Sequence, residues 1–193
     1  MAIKPRAALA RIEPYVPGKS PDQIQSNGEA IQPVKLSSNE NPYGPAKSVP
    51  AAIAAVADQV HFYPDGGSTA LKERLAARHQ VSFDQIVLGC GSDEVIRMLS
   101  EAYLDEGSPV VIGDVTFSQY AFGARLMNAD EVIVPLRDGR FDLPSMAEAI
   151  NQSKARLCFV CNPNNPTGGY VTREECLNFL DAIPEDVLVV FDG

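Results

Sequence analysis

The sequence predicts an α/β fold: a mainly parallel sheet with helices on both faces. Three observations predict it. Short apolar runs alternate with helix-period segments from residue 85 onward. The apolar runs are continuous, without the in–out alternation of a half-solvated strand, which is the pattern of strands covered on both faces. The chain has 193 residues, 45% hydrophobic and 21% charged, so it is globular in composition and long enough to bury a core without disulfide or metal staples.

The elements follow in order. Residues 1–45 are rich in Pro, Gly, Ser and Asn and show little periodicity, so they read as an irregular N-terminal arm. Residues 46–193 read as the domain proper. The alanine-rich stretch 46–60 predicts a helix with Pro50 near its start, and 61–67 is a turn cluster. Ser68 is placed to cap a helix over 69–79, where Leu71, Leu75 and Ala76 share a face. Strands are expected at 85–88, 109–112, 131–134, 156–161 and 187–191. Helices are expected between them, at 92–104, 116–127, 142–151 and 172–182. The last opens with a capping box, Thr172 and Glu175.

Composition excludes several functions. The formal net charge of −9 opposes nucleic-acid coating or anionic-membrane binding, which need a basic face, but allows a local phosphate site. No apolar run approaches the ~18–20 residues of a membrane span. The N-terminus has basic residues but no apolar core of a secretory signal. The four cysteines, Cys90, Cys158, Cys161 and Cys176, are too few for a disulfide scaffold in a chain of this length and suit a reducing cytoplasm. Cys158 and Cys161 stand three apart in an apolar strand, so they point to opposite faces and read as buried thiols rather than a chelating pair.

In such a fold, ligands collect beyond the carboxyl ends of the strands. Three segments there carry unusual chemistry. Leu88-Gly-Cys-Gly-Ser-Asp-Glu94 leaves a strand and opens a helix. Free N–H groups at such a start suit a phosphate, and the same atoms serve a plain cap at Ser92, with Asp93 and Glu94 complementing the dipole. Glu94 stands where a dinucleotide fingerprint has its third glycine. Cys161-Asn-Pro-Asn-Asn-Pro-Thr-Gly-Gly169 follows the fourth strand. Three asparagines locked by two prolines exceed the needs of a connecting turn, which points to a functional loop. Asp192 closes the last apolar strand, either as a solvated end or as a counter-charge for a cationic ligand atom.

Together these segments resemble the large domain of fold-type I, pyridoxal-phosphate-dependent aminotransferases, and within them the histidinol-phosphate aminotransferase family. The resemblance runs from about Tyr15 to Asp192. It rests on Pro14-Tyr-Val-Pro-Gly18, Leu36-Ser-Ser-Asn-Glu-Asn-Pro-Tyr-Gly-Pro45, Tyr63-Pro-Asp65, Gly91-Ser-Asp-Glu94, Thr116-Phe-Ser-Gln-Tyr120 and Asn162-Pro-Asn-Asn-Pro-Thr-Gly168. Threonine-phosphate decarboxylase shares several of these.

The resemblance implies pyridoxal 5'-phosphate as cofactor. It assigns Ser92, Asp93 and Glu94 to the phosphate, Phe117 to the pyridine face, Asn165 to the phenolic oxygen and Asp192 to the pyridine nitrogen. An ionised carboxylate there keeps the nitrogen protonated and the ring electron-accepting. Tyr63 is implied to reach the cofactor phosphate of a neighbouring subunit. Asn39, Glu40, Asn41 and Tyr43 are implied to close the substrate site. Implied partners are a phosphorylated amino-alcohol or amino-acid substrate, 2-oxoglutarate or glutamate, and a second copy in a homodimer. No nucleic acid, membrane or metal is implied. Where the family reads Asp-Glu-Ala-Tyr, the chain reads Asp192-Gly193, so the tyrosine, the Schiff-base lysine and the small C-terminal domain are expected beyond it. No catalytic residue is therefore assigned. Three functional readings follow: part of an aminotransferase, inactive alone; part of another fold-type I enzyme such as the decarboxylase; or a non-catalytic fragment.

Overall fold

The computed structural model describes residues 3–13, 35–36 and 38–193. The Pro14–Gly18 motif, most of the expected arm and Ser37 lie outside the described residues. The chain divides into two compact units, Pro14–Ile86, and Met1–Glu13 with Val87–Gly193.

In the first unit, the expected single helix over 46–60 is broken. Helix α1 spans Val49–Ala54 with Pro50 in its first turn, and a 3-10 turn follows at Ala57–Gln59. Nothing in α1 is buried, and a six-residue helix without a packed face gains too little to propagate. Helix α2, Thr69–His79, forms as expected. Its cap differs. Ser68 is left-handed and its side chain caps nothing. Instead the Asp65 carboxylate accepts from the Thr69 N–H at 2.7 Å and the Gly67 N–H at 3.0 Å. Those backbone donors, Thr69's first, hold the Asp65 pKa below the usual carboxylate range.

The second unit holds the sheet. Helix α3 spans Ser92–Tyr103, β1 Pro109–Gly113, α4 Ser118–Leu126, β2 Asp130–Val134, α5 Leu143–Ser153, β3 Leu157–Cys161, α6 Arg173–Asp181 and β4 Leu188–Asp192. The order is β2-β1-β3-β4 and every pairing is parallel. The connection from β1 to β2 runs one way along the sheet and that from β2 to β3 the other. Right-handed crossovers therefore put α4 and α5 on opposite faces. The packing agrees: α3 lies on α4, and α6 lies on α5. Covered on both sides, β3 is buried along its whole length and so are Val110, Val111 and Ile112 of β1. One close approach depends on glycine. A Cβ on Gly123 of α4 would overlap the buried Ser100 hydroxyl of α3. Near the N-terminus, a 3-10 turn at Ala7–Arg11 packs on α4, and the Arg11 side chain donates to Asn128 at 3.1 Å.

The expected strand at 85–88 does not form. A 3-10 turn covers Phe83–Gln85, and Ile86 leaves it with extended dihedrals, but nothing among the described residues pairs with 86–88. Extended backbone becomes a strand only when a neighbour takes its hydrogen bonds. Val87 is accordingly 69% exposed. Hydrogen exchange should read this directly, with amides of 86–88 exchanging far faster than those of 157–160. Equal protection of both segments would show that 86–88 has found a ladder partner.

Candidate functional site

The sheet fixes where a ligand can sit. Because β2 and β3 flank β1 on opposite sides, the chain reverses its direction of winding between β1 and β3. The loops leaving their carboxyl ends part there and open a crevice. The two loops are 114–117 and 162–172.

Asn164 ties them together. Its side chain is 2% exposed. It donates to the Val115 carbonyl at 2.9 Å and to the Thr167 hydroxyl at 2.8 Å, and it accepts from the Thr116 hydroxyl at 2.7 Å. The Thr167 hydroxyl in turn donates to the Gly139 carbonyl at 2.7 Å. Asn162 closes the base of the loop, donating to the Val171 carbonyl and accepting from the Val171 N–H. Asn162 and Asn164 therefore serve the loop's own fold. The third differs. Asn165 is exposed, and no described residue hydrogen-bonds its side-chain amide; only its backbone N–H is engaged, with the Cys161 sulfur at 3.4 Å. It is the asparagine free to meet a ligand.

Asp192 ends β4 directly beside Cys161 of β3. It is half-buried and not merely solvated. Its Oδ2 accepts from the Tyr120 hydroxyl at 2.6 Å, while Oδ1 has no partner among the described residues. Tyr120 is fully buried, stacked on Phe159 with ring centroids 4.6 Å apart, and edge-on to Phe117 at 5.7 Å. Phe117 is the N-cap of α4 and half-buried at the crevice edge. In the sequence Tyr120 stands only as the end of the Thr116–Tyr120 motif, and its polar role is not read there. A tyrosine at a wholly buried position was the signal, since its hydroxyl must find a partner.

At α3, Gly91 rather than Ser92 is the N-cap, with φ +79°. Ser92, Asp93 and Glu94 are the first three helical residues, so their N–H groups lack intrahelical acceptors. The Glu94 carboxylate reaches back to the Cys90 N–H at 2.6 Å and also pairs with Arg97 at 3.3 Å. This leaves the backbone, not the carboxylate, to receive an anion.

The remaining expected residues lie in the first unit. Asn41 builds a turn, accepting from the Tyr43 N–H at 3.0 Å and donating to the Gly44 carbonyl at 3.2 Å. Glu40 pairs with Lys35 at 3.0 Å, and Asn39 is left-handed. Tyr43 and Tyr63 are almost wholly exposed. Cys158 and Cys161 are buried and free, as expected. Burial pushes the Cys158 thiol up to about 12.

Phe117, Asn165 and Asp192 stand on the loops and strand end of this carboxyl edge, and the start of α3 offers free N–H groups to an anion. The chain belongs to the aminotransferase class I and II family, whose sequence profile matches residues 31–193. Its relatives make the resemblance narrower. Histidinol-phosphate aminotransferase 2 of Carboxydothermus hydrogenoformans is 43% identical over 187 residues, which cover 97% of this chain and 51% of that protein. Histidinol-phosphate aminotransferase of Moorella thermoacetica is 43% identical over 189 residues, 98% of this chain and 49% of that one. Among solved structures, histidinol-phosphate aminotransferase from Sinorhizobium meliloti in complex with pyridoxal-5'-phosphate superposes with a TM-score of 0.77 at 30% identity, covering 81% of this chain and 42% of that one. The family read from the motifs is borne out. This chain spans about half the length of the curated relatives it matches.

Proposed function

We propose that this chain forms part of the large domain of a histidinol-phosphate aminotransferase, which transfers an amino group between histidinol phosphate and 2-oxoglutarate with pyridoxal phosphate as cofactor. The observation that carries the reading is the free Oδ1 of Asp192 at a strand end beside the crevice, in a chain about 43% identical to enzymes of that name.

The residues present fit the cofactor. The unpaired N–H groups of Ser92, Asp93 and Glu94 receive its phosphate dianion. Phe117 covers one face of the ring. The Asn165 amide donates to its phenolic oxygen, and the Asp192 carboxylate holds a proton on its ring nitrogen. When bound, the cofactor supplies an electron sink for bond breaking at the amino-bearing carbon. Tyr63 reaches the phosphate held by a second copy, so the working unit is a homodimer. Asn39, Glu40, Asn41 and Tyr43 close over the substrate. The enzyme works in the cytoplasm, and among the described residues no helix is long and apolar enough to cross a membrane.

Transamination also needs an amine that binds the cofactor covalently and shuttles a proton. Between residues 87 and 193 the one lysine is Lys154, at the amino edge of the sheet, opposite the crevice; the other five, Lys4, Lys19, Lys35, Lys47 and Lys72, fall at no position that the family motifs match. The 193-residue chain is expected to show no turnover alone.

Joining residues 1–193 to the C-terminal half of the Moorella relative gives the test. The chimaera should transaminate histidinol phosphate with 2-oxoglutarate. Turnover of threonine phosphate but not histidinol phosphate would overturn the substrate assignment.

A further inference from the structure

We propose that Tyr120 is the positioning residue of the site: its hydroxyl fixes Asp192 with Oδ1 turned to the ligand, and its ring braces Phe117. The inference rests on the cofactor reading above, and deepens it.

A carboxylate at a strand end has a free χ1 and χ2, so its two oxygens exchange places unless something holds one of them. Tyr120 holds Oδ2 at 2.6 Å. The direction of donation is fixed, because burial, and then the bond to Asp192, raise the Tyr120 pKa far above its ordinary value. The proton therefore stays on the phenol, and the charge stays on the carboxylate. Oδ1 has no partner among the described residues and takes the cationic nitrogen.

The hydroxyl can act in this way because its ring cannot move. Tyr120 is on the buried face of α4, in contact with Phe159 from the centre of β3, with the two rings within 10° of parallel. Phe117 meets the other side edge-on, at 83°. One side chain thus sets two ligand-facing groups that come from different elements, the start of α4 and the end of β4. Packing alone does not call for a tyrosine here. A phenylalanine would stack equally well without the cost of burying a hydroxyl, which is repaid only by a bond to a partner.

The test compares Tyr120→Phe, Asp192→Asn and the double variant in the chimaera, with pyridoxal phosphate itself as the probe. Loss of a hydrogen bond to a charged group should weaken cofactor binding about tenfold in Tyr120→Phe. In the Asp192→Asn background the same change should cost less than about twofold. Equal loss in both backgrounds, or none in either, overturns the proposal and leaves Tyr120 a packing residue. A second readout uses no cofactor. The Asp192 Cγ chemical shift at neutral pH should move in Tyr120→Phe, since the donor to Oδ2 has gone. An unchanged shift also overturns the proposal. A parent chimaera that binds no pyridoxal phosphate sinks the proposed function instead, while the Cγ shift still decides the role of Tyr120.

Discussion

Asp192→Ala in the chimaera is expected to lower the transamination rate by on the order of 10²–10³-fold, the usual cost of losing a preorganised electrostatic partner. The substitution removes the carboxylate that Tyr120 holds in place at 2.6 Å. On the proposed reading, Asp192 would be the group that keeps the cofactor's ring nitrogen protonated and its ring electron-accepting. Stability should suffer less, because Asp192 is half-buried at the end of β4 and its backbone bond to the Asn162 N–H at 2.7 Å survives. Steady-state kinetics beside a melting curve separate the two effects. A rate within threefold of the parent would show that Asp192 does not serve the reaction.

The largest effect on folding is expected at Phe159. Replacing this fully buried ring by alanine should cost about 3–5 kcal/mol, the usual range for emptying a large aromatic site. The site collapses poorly. Phe159 lies mid-strand in β3, which is paired on both edges and buried along its whole length. Its neighbour Tyr120 is tied to Asp192 and so cannot swing in to fill the gap. Domains are stable by only ~5–15 kcal/mol, so denaturant melts should show most of the margin gone. A cost under 1 kcal/mol would mean that the sheet repacks freely around β3.

Much of the sheet was legible because its strands are unmistakable apolar runs, and their ends moved by only a residue between expectation and structure. What stayed hidden depended on partners distant in sequence. The run 85–88 has a strand's composition, but composition does not supply a neighbouring ladder. Ser68 has a cap's identity, yet Asp65 was already close enough through its turn to reach the same N–H groups. The site divides in the same way. Asp192, Asn165 and the start of α3 can be singled out as candidates from local motif and position. The separation of Asn162 and Asn164 from Asn165 cannot be read that way, because Thr116 and Val115, which occupy Asn164, lie 48 and 49 residues away. Tyr120 was hidden for the same reason, 72 residues from its acceptor.

The register of β3 on β4 has a wider consequence. Cys161 stands opposite Asp192, and the Asn162 N–H returns to the Asp192 carbonyl. The root of the asparagine loop and the root of the carboxylate are therefore two ends of a single short strut, one rung wide. The Arg137–Arg140 hairpin braces the loop from outside, where the Gly139 carbonyl takes the Thr167 hydroxyl at 2.7 Å, but the rung itself belongs to β3 and β4. Whatever ligand the crevice takes, the spacing of the two groups that would meet it is set by that backbone rung and not by the loops around it.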